Sequence, residues 1–172
     1  MDKSKKEKTG KTQGSNGIII RKAVLGDMGQ IINNWKCLMD LNSKYNPVAN
    51  RRKANYVEIY RRFLKKQIKG RKSAIFVAVN DGMIIGHLMM EIKRIPPVYE
   101  IDEEGFVDEL FVQKEFRRLG IGTLLLEQGE KWARRKGMKQ FSLHTNVKNA
   151  GARRAYAKFG LVEFMLKLIK PL

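Results

Sequence analysis

The chain has 172 residues, the length of one ordinary domain with room for a buried core. Its 43% apolar content excludes disorder throughout, and no run approaches the about 18 apolar residues of a membrane span. The formal net charge of +18 attracts anions, whether nucleic acid or a phosphorylated ligand, but does not choose between them.

Residues 1–16, "MDKSKKEKTGKTQGSN", are charged and polar, with no apolar stretch of a secretion signal. They read as a flexible basic tail ahead of one domain over 17–172. "GIIIRKAV" (17–24) reads as a first strand. Asp27 is placed to cap a helix through about Leu41, with Met28, Ile31, Ile32, Trp35, Leu38 and Met39 as its apolar stripe. The single cysteine, Cys37, falls in this helix and reads as a small packing residue. One cysteine excludes an internal disulfide, and with two histidines it gives no zinc pattern, so no metal and a cytoplasmic location are expected. A second helix is expected over roughly 48–68, with Tyr56, Ile59, Tyr60, Phe63 and Leu64 at helical spacing and a basic opposite side.

"SAIFVAVN-DG-MIIGHLMMEIK" reads as a hairpin turning at Asn80-Asp81-Gly82. A loop follows, pinned by Pro96 and Pro97. Residues 106–112 form a fourth strand. "GIGTLLLEQGEKWARRKG" forms a helix, residues 139–145 a fifth strand, and Asn149 caps a last helix ending at Gly160. "LVEFMLKLI" reads as a final strand. The order β-α-α-β-β-β-α-β-α-β gives an α/β (α+β) fold, a single mixed, mostly antiparallel twisted sheet flanked by helices.

Between the fourth strand and the third helix lies "RRLGIG". Helix starts carry unpaired N–H groups and partial positive charge, and glycines let a bulky anion approach. With Arg117 and Arg118 this makes a cradle for a phosphate or diphosphate, without Walker or dinucleotide-fingerprint spacing. Downstream, Asn149 and Tyr156 lie about two helical turns apart on one side of the last helix.

These two motifs, in this element order, resemble the GNAT N-acetyltransferase superfamily over residues 17–170. Arg117-Arg118-Leu119-Gly120-Ile121-Gly122 matches the family's acetyl-CoA motif, Gln/Arg-x-x-Gly-x-Gly/Ala. "ELFVQKEFR" is similar to its fourth strand, and "NAGARRAYAKFGL" to its later Asn-to-Tyr element. The resemblance implies acetyl-CoA as donor, its diphosphate held by the N–H groups of Arg117 to Gly122 with Thr123. It implies that the main chain of the Leu110-Phe111-Val112 segment pairs with the pantetheine arm, chiefly through Leu110 and Val112. Asn149 would touch that arm, and Tyr156 would face the sulfur. Leu161 stands where the family usually has Phe, and eleven residues after it leave room for one strand, whose edge a homodimer partner would complete.

Acyl transfer to an amine needs a base for the amine and an acid for the leaving thiolate. Tyr156 is the expected acid. The base is sought in "YEIDEEGFVDEL": residues 100–109 hold six acids, and no Lys or Arg occurs from Ile95 to Gln113. That island reads as a rim for a cationic amine, with Glu109 as the favoured base and Asp108 as the alternate. The acceptor expected is a polyamine-like or aminoglycoside-like amine, or a protein amino group. The competing readings are a nucleic-acid-associated basic protein, less favoured because no nucleic-acid motif is present, and a silent acyl-CoA binder.

Overall fold

The computed structural model describes residues 12–13 and 17–170. Six strands form one sheet in chain order: β1 (Thr12–Gln13), β2 (Ile19–Lys22), β3 (Ser73–Asn80), β4 (Met83–Arg94), β5 (Glu103–Val112) and β6 (Phe141–Leu143). All neighbours are antiparallel except β5 and β6. The helices are α1 (Met28–Tyr45), α2 (Tyr56–Lys69), α3 (Ile121–Arg135) and α4 (Ala150–Lys158). Of the expected tail, Thr12 and Gln13 pair with Ile20 and Ile19, and the rest lies outside the described residues.

Strand alternation sends buried side chains to both faces of the sheet. On one face Ala74, Phe76, Leu88, Met90 and Val107 meet Ile121, Leu125, Leu126, Trp132 and Ala133 of α3. On the other, Ile75, Val77, Ile84 and Met89 meet Ile31, Ile32 and Trp35 of α1 with Tyr60 and Leu64 of α2. The expected hairpin forms at Asp81 and Gly82, both with positive φ (47° and 77°), the pair of angles a two-residue type I′ turn needs.

Four expectations are corrected. The second helix starts at Tyr56, not near 48, because side chains there engage the backbone locally: Asn46 Oδ1 accepts from Ala49 N–H at 3.0 Å, and the Asn50 amide donates to Asn42 and Asn46 carbonyls. Asp27 precedes α1 but its side chain does not cap it. Its carboxylate accepts two bonds from Arg21 (2.7 and 2.9 Å) and one from Val24 N–H (2.8 Å). Burial alone would raise this carboxyl, but those bonds and Arg21's charge outweigh it and hold it below its ordinary value. Cys37 is exposed rather than packed. Residues 161–170 form no strand: Val162, Phe164, Met165 and Leu168 are 84–90% exposed, and the run pairs with no strand among the described residues. Apolar alternation supplies a face, but a strand forms only where its backbone is held in a hydrogen-bonded ladder.

Candidate active site

The site begins where β5 loses a neighbour. β6 pairs with β5 only from Gly105 to Val107, so residues 108–112 have β4 on one side and no strand on the other among the described residues. Gln113 N–H donates to Ile85 O of β4 at 2.8 Å. In an antiparallel strand both main-chain groups of a residue point the same way, with period two. Phe111 therefore faces β4, while Leu110 and Val112 turn their main-chain groups to the open side. Gly86 fits this register: a Cβ there would lie 2.8 Å from Phe111 O. Gln113 also ties its amide to Asn34 Oδ1 (3.0 Å) and Ile84 O (3.2 Å), anchoring the end of β5 to α1.

A single 3-10 turn (Lys114–Phe116) leads from β5 to the motif. The arginines then separate in role. Arg117 Nε donates to Val112 O at 2.9 Å, folding the loop back onto the strand end, while Arg118 is exposed with φ +67°. Gly120 adopts φ +76° as the residue before α3, an angle glycine takes without the Cβ clash. The first bond into the helix is Leu124 N–H to Gly120 O at 3.0 Å, so the N–H groups of Ile121, Gly122 and Thr123 have no acceptor within the helix. No helix-capping side chain covers them, and a Cβ on Gly120 or Gly122 would meet nothing within 4 Å. Unpaired donors over open space, at the positive end of a 15-residue helix and beside an exposed arginine, fit a diphosphate.

The carboxylates of the acidic island part company. A β-bulge makes Asp108 the extra residue: Met89 pairs with Glu109 and Met90 with Val107. Glu109 lies on the α1–α2 side with its side chain only 10% exposed. Its Oε2 accepts the Tyr60 hydroxyl at 2.7 Å and sits 3.3 Å from Nε2 of fully buried His87. His87 Nδ1 has no partner among the described residues, which favours the tautomer with the proton on Nε2, donating to Glu109. Burial, then Glu109's charge and hydrogen bond, push the Tyr60 phenol far above its ordinary value, so Tyr60 stays a donor. Glu109 Oε1 carries no hydrogen bond among the described residues.

Asp108 instead bonds Lys93 at 3.0 Å, and burial pushes its carboxyl up to about 6 despite that bond. Glu103 pairs with Lys72 (2.6 Å), and Glu104 accepts from Gln140 (3.0 Å) and Ser142. The cations absent from residues 95–113 come across the sheet from β4 and from beside β3. Glu100 and Asp102 remain exposed.

On α4, Asn149 Oδ1 accepts Ala152 N–H at 3.2 Å, the cap its sequence position implied. Tyr156 packs on the same apolar cluster as Leu110 and Val112, and burial raises its phenol. Its hydroxyl has no hydrogen bond among the described residues. Sequence reading missed His87 and the link from Tyr60 to Glu109. Their signals are faint: one polar residue inside the apolar run "MIIGHLMM", and one tyrosine in a helix stripe. Among the described residues no group of three or more His, Cys, Asp or Glu converges, and no helix is long and apolar enough to cross a membrane.

Comparison with known proteins points the same way. The sequence model of the acetyltransferase (GNAT) family matches residues 35–161. An N-alpha-acetyltransferase of Sulfurisphaera tokodaii is 30% identical over 152 residues, spanning 84% of this chain and 80% of that protein. An aminoglycoside N(6')-acetyltransferase type 1 of Klebsiella aerogenes is 28% identical over 54% of this chain and 62% of its own length. Among solved structures, the aminoglycoside N-acetyltransferase AAC(6')-Iy in complex with CoA superposes with a TM-score of 0.71 at 16% identity, covering 95% of this chain and 96% of that one. That likeness bears on the fold.

Proposed function

We propose, since this chain belongs to the acetyltransferase (GNAT) family, that it moves an acetyl group from acetyl-CoA to a primary amine by direct attack. The observation that carries this reading is the run of N–H groups at Ile121, Gly122 and Thr123 without an acceptor among the described residues, over open space beside the unpaired edge of β5.

When bound, acetyl-CoA supplies an activated thioester. Ile121 to Thr123, with Gly120 and Arg118, hold the diphosphate; Leu119 and Arg117 shape the loop. Leu110 and Val112 direct the pantetheine arm along β5 through main-chain hydrogen bonds, with Phe111 between them tied to β4, and the Asn149 amide flanks the arm. A protonated amine has no lone pair, so Glu109 takes the amine's proton as its nitrogen bonds the acyl carbon. The free Oε1 is the accepting atom, while Tyr60 and His87 hold Oε2 in place. Asp108, turned toward Lys93, is the weaker candidate base. As the carbon–sulfur bond breaks, Tyr156 gives its proton to the sulfur, and its raised phenol keeps that proton available at neutral pH. The products are an N-acetylated amine and free CoA.

The names of the relatives frame the acceptor as an α-amine or an aminoglycoside amine. Thiol release from acetyl-CoA across an amine panel tests the reading: turnover with at least one primary amine, lost in Glu109→Gln, is expected. Tight CoA binding with no release from any amine would leave a silent binder.

A further inference from the structure

On the side of α1 and α2 lies a cleft of about 280 Å³ lined by Trp35, Arg52, Lys53, Tyr56, Ile59, Tyr60 and Phe63. Tyr56, Ile59, Tyr60 and Phe63 recur at i, i+3, i+4 and i+7, one stripe of α2. Only part of that stripe is used by the core. Tyr60 is buried, whereas Ile59 and Phe63 stay 46% and 38% exposed. Tyr60 connects this cleft to the proposed chemistry, since its ring lines the wall and its hydroxyl bonds Glu109 at 2.7 Å. A group seated against the Tyr60 ring is linked through that residue to the carboxylate that would take the amine proton.

The lining discriminates between ligands. Four aromatic rings could suggest a cage for a cation, which needs open ring faces. One face each of Trp35, Tyr60 and Tyr56 is already covered. Trp35 and Tyr60 stack on each other at 3.7 Å and 3°, and the Arg52 guanidinium sits 5.1 Å from the Tyr56 ring centre. No carboxylate lines the cleft, and the two charged lining residues, Arg52 and Lys53, are both cations. Asp40 holds Arg52 at 2.8 Å, while Lys53 is exposed at the mouth. A polycationic acceptor would meet like charge here. An apolar group would find an aromatic and aliphatic wall, and an anion beyond it would find Lys53 and Arg52.

We infer that this cleft selects an acceptor carrying an apolar or aromatic group next to its amine and a carboxylate beyond it. The inference rests on the proposed acetyl transfer and names its acceptor class. The amino end of a peptide and a small amino-acid conjugate both offer this chemistry. It sets the protein apart from one built for aminoglycosides or polyamines.

The test is steady-state thiol release from acetyl-CoA with a ten-residue peptide beginning Phe-Glu-Glu, its Phe-Lys-Lys counterpart, a Gly-Glu-Glu counterpart, the free dipeptide Phe-Glu, and spermidine. The Phe-Glu-Glu peptide or free Phe-Glu should give the highest kcat/KM, and whichever leads identifies a peptide or a small conjugate as the source. In Lys53→Glu the ratio of acidic to basic peptide should fall by on the order of threefold to tenfold, the effect of reversing one exposed charge. In Phe63→Ala the advantage of Phe-first over Gly-first should shrink. Preference for spermidine or the Lys-Lys peptide, or ratios unmoved in both variants, would overturn the inference while leaving acetyl transfer intact. Absence of release from every amine would instead remove the enzymatic reading, and this inference with it.

Discussion

Replacing Tyr60 with Phe removes one oxygen and leaves the ring. The stack on Trp35, 3.7 Å between centres, survives; the 2.7 Å bond to Glu109 Oε2 does not. Tyr60 is 5% exposed and the Glu109 side chain 10%, so water does little to replace that donor. A hydrogen bond to a charged group in such a setting contributes about 1.5–3 kcal/mol, the loss expected for Tyr60→Phe. Glu109→Gln keeps an acceptor but removes the charge, and charge-assisted bonds are about twice as strong as neutral ones. The two substitutions should therefore couple by about 1 kcal/mol in a double-mutant cycle read by urea denaturation of the four proteins. Kinetics complete the measurement: loss of a general base lowers kcat by about 10²–10⁴-fold, and Tyr60→Phe should add little once Glu109 is Gln. If Tyr60→Phe lies within about 0.5 kcal/mol of the parent and the coupling is zero, the phenol does not hold the carboxylate and the reasoning fails.

Tyr156→Phe should lower kcat by on the order of 10²-fold while CoA affinity, read by calorimetry, stays near the parent value; an unchanged rate removes Tyr156 from the mechanism. Gly120→Glu sets a non-glycine residue at φ +76°, costing about 1–2 kcal/mol, so the protein should still fold but lose CoA binding to a misplaced negative charge. Asp108 predicts a pH effect of definite sign. Burial raises its folded carboxyl to about 6 against an ordinary value of 3.8, so its favourable contribution is complete below about pH 3.8 and lost as pH rises through about 6. Asp108→Asn should then melt above the parent at pH 7.5, with the gain vanishing near pH 4. A variant less stable at pH 7.5 would mean that the Lys93 pair outweighs desolvation.

What could be read from the sequence was what local chemistry decides. The Asp81-Gly82 turn, the helix opening at Gly120 and the Asn149 cap each depend on a few adjacent residues, and each formed at its expected position. Glu109 could be favoured over Asp108, but the surroundings that separate them could not be read, because they depend on a bulge and on partners 15 to 49 residues away in the chain. The island's partners were hidden for the same reason: Lys72 and Lys93 reach Glu103 and Asp108 from outside its own segment. His87 was invisible because nothing in "MIIGHLMM" says which face of β4 a histidine takes or what awaits it there. The run after Leu161 failed oppositely. Its pattern is strand-like, but pairing depends on an edge that no pattern within the run specifies.

The amide cradle ahead of α3 is the claim on which the rest depends. Titrating the isotope-labelled protein with CoA and following backbone amide resonances tests it residue by residue. The largest shifts should fall on Arg118 to Thr123, with Leu110 and Val112 next, and the Lys53–Phe63 segment should move little. Saturable binding that shifts another surface and leaves Ile121, Gly122 and Thr123 still would contradict the account.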